Sequence, residues 1–144
     1  MATVFPTKVP QAFANIGIRE HSVMEATIAA ATADRTTPIF RCPSDGVIHS
    51  VSFVVGAAAA GHATNTRSIV LANGGAAGTG TTALATRMLT VANALAAGEA
   101  ILLYEPTTPL AVTRGLLLTC LNQKEGTGIV VPEILWMIQF EGRK

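Results

Sequence analysis

The sequence predicts an all-β protein, a β-sandwich or jelly roll of about seven or eight strands that follows an extended N-terminal arm. Short apolar runs are separated by Gly, Pro and Asn, and no helix of the length needed to connect parallel strands lies between them. The apolar residues are mostly small or β-branched, with 24 Ala and 18 Thr against 5% aromatic residues. Such a composition favours close-packed sheets over a large aromatic-lined pocket.

The first element is the predicted arm, residues 1–35, which precedes a sandwich domain predicted for residues 36–144. Two prolines and a glycine interrupt any regular period in the first 17 residues, so this segment has no consistent face with which to build a core. Its apolar side chains are therefore candidate interface residues that lie on the domain or on a neighbouring subunit. They are Phe5, Phe13, Ile16 and Ile18.

Two structures remain open for residues 20–33. The segment from Ser22 to Glu25 has the Ser-x-x-Glu pattern of a helix capping box, which predicts a short helix that continues through the following alanines. The threonines in and after this segment fit an extended path equally well.

Six runs in the rest of the chain have the pattern of strands: 47–55, 68–72, 81–89, 100–104, 116–121 and 134–141. In the first run, the odd-numbered valines and Phe53 are expected on the core face, with Ile48 and the serines on the other. His49 is also odd-numbered and therefore shares the core face with the valines and Phe53. A hydrogen-bonded core or interface histidine is expected at this position. The last run alternates most clearly, and it predicts a single face for Ile134, Trp136, Ile138 and Phe140.

The segment Asn65–Met88 contains a glycine-rich stretch, Gly75 to Thr82, which has the outline of a phosphate-binding loop. Thr81 stands where that loop needs its lysine, and the residues after Gly80 alternate like a strand, so no helix N-terminus is offered to an anion. The glycines are therefore predicted to form a turn between two strands.

The low charge of the chain limits the classes of function. Asp, Glu, Lys and Arg make up 13% of the residues, the net charge is +1 and no basic run is present, so direct binding of nucleic acid is not expected. Residues 46–66 carry no Asp, Glu, Lys or Arg, but their polar residues and period-two pattern predict a strand and a loop, not a membrane span. The N-terminus lacks the apolar core of a secretory signal. Cys42 and Cys120 have no CxxC spacing and are expected to be reduced thiols in or near the core.

No catalytic residue, cofactor site or metal site is predicted, and the protein is not expected to be an enzyme. His21, His49 and His62 lack the spacing of a metal site, and no serine or cysteine lies in a nucleophile motif. The nine acidic residues are interpreted mainly as solvated strand ends, and Trp136 as a core residue. The enzyme alternative, a hydrolase on a jelly-roll or cupin-like frame, would need clustered histidines, and this sequence does not supply them in the usual spacing.

From about Thr36 to Phe140, the order of segments resembles that of the small all-β proteins that decorate or cement the heads of tailed bacteriophages. The resemblance rests on the lead-in at 38–43, VIHSVSFVV at 47–55, the loop and strand at 61–82, NALAAGEAILLYEP at 93–106 and GTGIVVPEILWMIQFE at 126–141. These are turn and strand patterns and not catalytic signatures. Glu99 replaces the usual Asp after the glycine, and Glu133 stands where a glycine tends to follow the proline; these changes affect local turns and leave the fold intact.

The resemblance implies a structural virion protein on the outer surface of the capsid, made in the host cytoplasm. Such a protein assembles as a dimer or trimer and bridges adjacent subunits of the major capsid protein, which stabilises the expanded head. The low charge and the apolar arm are compatible with a subunit that is buried among neighbours. The alternative is a carbohydrate-binding or host-surface adhesion module on a β-sandwich, which would need exposed aromatic residues or a calcium-binding carboxylate cluster.

Overall fold

A computed structural model describes residues 17–143, which fold into nine β-strands and one 3-10 helix, Val91–Asn93. The all-β prediction is confirmed. The strands, numbered β1 to β9 in chain order, are Arg19–Glu25, Arg35–Arg41, Gly46–Val55, Thr66–Gly75, Thr82–Met88, Ala100–Tyr104, Leu110–Val112, Leu117–Glu125 and Ile134–Gly142. The structure therefore has more strands than the seven or eight expected. Three strands lie outside the six predicted runs: β1, β2 and the three-residue β7.

The strands form two antiparallel sheets. The first sheet has the order β1-β9-β3-β6, with β7 also paired to β3, and the second has the order β2-β8-β4-β5. The inner faces of both sheets contribute to one core, in which Phe53, Ile69, Leu118 and Trp136 are fully buried. This arrangement is compatible with the predicted β-sandwich.

The strand pairs are nested around the glycine-rich segment. β4 pairs with β5, β3 with β6, β2 with β8 and β1 with β9, so the chain turns back along itself at residues 76–81. There the Gly80 N–H donates to the Gly74 carbonyl oxygen at 2.9 Å. A Cβ atom on Gly80 would lie 2.6 Å from the Asn73 carbonyl oxygen, and Gly75 and Gly78 adopt positive φ angles of 66° and 74°. The predicted turn between strands is confirmed, and its glycines meet backbone requirements.

The predicted faces are confirmed for β9 and corrected for the start of β3. The four β9 residues Ile134, Trp136, Ile138 and Phe140 are all buried in the core. In β3, a β-bulge between Ile48 and Ser50 shifts the register against β9. Ile48 therefore enters the core, while the His49 side chain is 27% exposed. The expectation of a core-face His49 is wrong because one extra residue reverses the alternation of faces.

β1 joins part of the predicted arm to the first sheet. It pairs with β9 along its whole length, from Arg19 opposite Phe140 to Glu25 opposite Ile134. Ile28 then pairs with Val131 and is buried in the core. The segment that also fits a capping box is therefore extended, because pairing with β9 satisfies its backbone and outweighs a local helix signal. Residues 1–16 of the predicted arm lie outside the described residues.

Candidate interaction surface

The three histidines lie apart, and each has local partners. His21 contacts two phenylalanine rings, with centroid distances of 5.0 and 6.1 Å. His49 Nε2 lies 3.2 Å from Glu141 Oε1. His62 Nδ1 accepts hydrogen bonds from the backbone N–H groups of the two residues at 64 and 65. All three rings therefore support local structure.

The cysteines are both free and buried, as expected. Burial raises the pKa of the Cys42 thiol from 9.0 to about 11. Burial, reinforced by the nearby Glu25 carboxylate, raises the pKa of Cys120 further. Both thiols are therefore protonated at neutral pH, which does not suit a nucleophile.

Side chains that commonly bind metals are dispersed over the described part of the chain. Within residues 17–143, no three His, Cys, Asp or Glu side chains form a group that could hold a metal ion. Among the same residues, no helix has both the length and the apolar composition to cross a membrane.

Arg67, near the start of β4, is fully buried and connects several elements. Its guanidinium donates to Asn122 Oδ1 at 2.8 Å and to the Ile129 carbonyl oxygen at 3.2 Å. It also donates to the carbonyl oxygens of residues 29, 30 and 32. Burial lowers the pKa of Arg67, but an arginine keeps its charge in proteins. Arg67 therefore fastens the loop after β1 and the loop before β9 to the second sheet.

Glu25, at the end of β1, is a second buried charge with 2% exposure. Its Oε1 atom accepts a hydrogen bond from Trp136 Nε1 at 3.4 Å, and its Oε2 atom lies 3.6 Å from Arg35 Nη2. Trp136 itself is fully buried against Phe53, with ring centroids 5.3 Å apart, which confirms its predicted core position. Arg67 and Glu25 both connect elements of the fold, and the sequence pattern marked neither of them for this role.

The registers define an uncharged area on the outer face of the first sheet. Two neighbouring rows of side chains cross β1, β9, β3 and β6 on the side away from the core. The first row is Met24, Leu135, Val54 and Ala100, and the second is Ser22, Met137, Ser52 and Leu102. We call these eight residues the apolar sheet face. None of them is charged.

Exposure distinguishes the apolar sheet face from ordinary protein surface. Met24 is 55% exposed and Leu102 is 57% exposed, while Val54, Leu135 and Met137 between them are half-buried. Exposed apolar groups that form one patch mark sites of protein–protein contact. Methionine is enriched in such contacts because its flexible side chain adapts to different partners. A signal was present in the sequence, since ILWMI in β9 is apolar on both faces, as in a strand covered on both sides.

Of the four interface residues predicted from the sequence, one lies in the described part of the chain. Ile18, immediately before β1, is 51% exposed. Phe5, Phe13 and Ile16 lie outside the described residues.

Comparison of the chain with protein-family models, with curated proteins and with solved structures finds no match. The apolar sheet face is therefore interpreted from its own chemistry.

Proposed function

We propose that this protein binds the outer surface of a tailed-bacteriophage capsid and cements adjacent subunits of the major capsid protein, which stabilises the expanded head. The observation that carries the proposal is the apolar sheet face, with Met24 and Leu102 more than half exposed and no charge among its eight residues. A protein that binds only the assembled shell stabilises it by the free energy of binding.

The proposed frame is a jelly roll. A five-stranded sheet with the path β1-β9-β3-β6 and a four-stranded sheet β2-β8-β4-β5, with nested antiparallel pairs, support this proposal. With β7 counted as an addition to β3, eight strands remain, which is the number in a jelly roll built from two Greek keys. The same frame is implied by the resemblance to head-decoration proteins.

The chemistry of the apolar sheet face fits a protein partner. Water leaves an apolar face at no electrostatic cost, whereas a charged face must lose its hydration when it meets another protein. Met137 and Leu135 on β9 are half-buried already and belong to the two rows that cross the sheet from β1, which carries Met24, to β6, which carries Leu102. We propose that this face contacts the major capsid protein, and that copies of the chain also associate as dimers or trimers on the virion.

The predicted arm supplies a second proposed contact. Ile18 is exposed immediately before β1, and Phe5, Phe13 and Ile16 precede it in the sequence. We propose that they reach a neighbouring subunit.

Cosedimentation with purified expanded heads tests the proposed capsid contact. The double variant Met24→Lys, Leu102→Lys places two charges on the apolar sheet face, and each is expected to weaken binding by about tenfold, equivalent to about 1.4 kcal/mol. The control is Val91→Lys, Val130→Lys, which changes two exposed apolar residues outside that face, with 68% and 53% exposure. Equal binding by both double variants would remove the apolar sheet face from the proposal.

Deletion of residues 1–16 tests the arm separately. It leaves the pairing of Arg19 with Phe140 intact, so fluorescence of the buried Trp136 should stay that of the folded protein. Binding to heads is expected to be lost, and unchanged binding would refute the role of the arm. If the full chain shows no binding to any expanded head, the proposed function itself is wrong.

The alternative, a carbohydrate-binding or adhesion module, depends on aromatic side chains that can stack on sugars. Among residues 17–143, Trp136 is fully buried and Tyr104 packs partly against the core. The described residues therefore give this alternative no specific support, and saturable binding on a glycan array would restore it.

A further inference from the structure

A cleft of about 390 Å³ opens at the end of the two sheets where β2 ends and β8 begins. It is lined by Arg41, Cys42, Pro43, Arg114 and Gly115. We call it the arginine cleft. Its size falls within the range of small-molecule sites, and it lies apart from the apolar sheet face.

The backbone of the arginine cleft is held by hydrogen bonds between its two walls. The Cys42 N–H donates to the Leu116 carbonyl oxygen at 2.9 Å, and the Gly115 N–H donates to the Cys42 carbonyl oxygen at 2.8 Å. The backbone N–H of Arg114 donates to Asp45 Oδ1 at 2.8 Å. The two arginine-bearing segments are therefore fixed relative to each other before any ligand binds, which lowers the entropy cost of binding.

The two side-chain charges that line the cleft are both positive, and neither is held in an ion pair within the described residues. Arg41 and Arg114 are both exposed, and neither guanidinium makes an ion pair or a hydrogen bond with another residue in 17–143. Oδ1 of the nearby Asp45 carboxylate accepts a hydrogen bond from the backbone N–H of Arg114. The buried Cys42 thiol, whose pKa is raised to about 11, stays neutral and does not repel an anion.

We propose that the arginine cleft binds one oxyanionic group, a carboxylate or a phosphate, between the guanidinium groups of Arg41 and Arg114. Guanidinium is suited to this task because its parallel N–H donors match the two oxygens of a carboxylate or phosphate. The cleft binds its anion whether or not the protein binds a capsid. The nearby Asp45 carboxylate weakens the positive potential, so the expected dissociation constant is on the order of 1 mM.

The test is an NMR titration of the full chain at pH 7 and constant ionic strength. Inorganic phosphate and N-acetyl-aspartate amide are added in separate experiments, and amide signals of residues 41–42 and 114–115 are followed. The expected result is a saturable shift of these signals. Tighter binding of phosphate identifies a free or ligand-borne phosphate, and tighter binding of the aspartate derivative identifies an acidic side chain of a partner protein.

Variants separate a specific site from general charge attraction. Arg41→Gln and Arg114→Gln are each expected to raise the dissociation constant by about tenfold or more. Arg19→Gln is the matched control, because Arg19 is exposed near the same end of the sheets and does not line the cleft. Shifts that stay linear in anion concentration, or an equal loss of binding in the Arg19 variant, would overturn the proposal. Trp136 fluorescence verifies that each variant is folded.

Discussion

Replacement of Arg67 by methionine tests whether one buried guanidinium holds the loops of this domain together. The variant Arg67→Met keeps a long apolar side chain in place and removes all the hydrogen bonds that Arg67 donates. Asn122 is fully buried, so its Oδ1 atom loses its donor in an environment without water. The other acceptors, the carbonyl oxygens of Ile129 and of residues 29, 30 and 32, lie in partly exposed loops and can bind water.

The magnitude follows from these partners. The buried Asn122 oxygen that loses its donor destabilises the folded state by about 1–3 kcal/mol, and each of the four loop carbonyls loses a net interaction of about 0.5–1.5 kcal/mol. Removal of the buried charge returns part of this, because burial of the guanidinium is itself unfavourable. We expect a net loss of about 3 kcal/mol in the free energy of unfolding. For a domain of this size, the corresponding fall in Tm is about 9 °C.

Urea unfolding provides the assay, because the single tryptophan, Trp136, is fully buried and reports on the core. The control is Arg87→Met, since Arg87 makes a single side-chain hydrogen bond to residues 17–143, a long one of 3.4 Å to the Asn93 carbonyl oxygen; the loss of stability in this variant should stay below about 1 kcal/mol. The double variant Arg67→Met, Asn122→Leu removes donor and acceptor together and should be more stable than the sum of the single losses predicts. A loss below about 1 kcal/mol for Arg67→Met, equal to that of the control, would refute the reasoning.

Three further predictions concern the thiols, the glycine turn and the contact between His49 and Glu141. The pKa of Cys42 rises to about 11 on folding and that of Cys120 rises further, so above pH 9 the unfolded chain releases thiol protons that the folded protein keeps. The free energy of unfolding should therefore fall as pH rises above 9, by about 1.4 kcal/mol per pH unit for each thiol while the folded protein keeps its proton, which for Cys42 means up to pH about 11, and Cys42→Ser should remove its share of that slope in urea titrations. Gly80→Ala should lower the free energy of unfolding by about 1–3 kcal/mol through the clash at the Asn73 carbonyl, whereas Thr79→Ala beside it should change it by less than about 0.5 kcal/mol. His49→Ala should change stability by less than about 1 kcal/mol, because His49 and Glu141 are partly exposed; a larger loss in thermal unfolding would contradict this.

The alternation of apolar and polar residues correctly predicted the faces of strands in which no β-bulge interrupts that alternation. Ile134, Trp136, Ile138 and Phe140 lie in the core because β9 has no bulge in its own alternation. In β3 the same rule failed at its first residues, since the bulge beside His49 depends on the pairing with β9 and not on the residues of β3 alone. Ser22 to Glu25 was undecided for a related reason: its partner strand lies more than a hundred residues away.

The candidate surface could be read from the sequence only in part. Strand β9 is apolar on both faces, which is visible in ILWMI, and the outer residues of VSFVV in β3 are uncharged. Which outer residues become neighbours depends on register, and Met24 and Leu102 come from edge strands that no single segment connects. Arg67 gave no signal, because a lone arginine at the start of an apolar run resembles an exposed strand end. Its burial depends on loop carbonyls that the chain supplies from residues far away in sequence.

One requirement, a rigid domain with one sheet face that meets a partner, accounts for two placements. Arg67 and Glu25 are buried inside the domain, and Met24 and Leu102 are exposed on its surface. Loop carbonyls without strand partners need donors, and a buried guanidinium supplies several from one side chain. A surface that docks on another protein loses its water, so charges on that surface would oppose docking. A freely soluble monomer gains more from the buried guanidinium than from Met24 and Leu102, which keep more than half of their surface exposed. A domain that must hold its loops rigid while one sheet face meets a partner gains from both placements. The two features together therefore favour a docking role for the apolar sheet face.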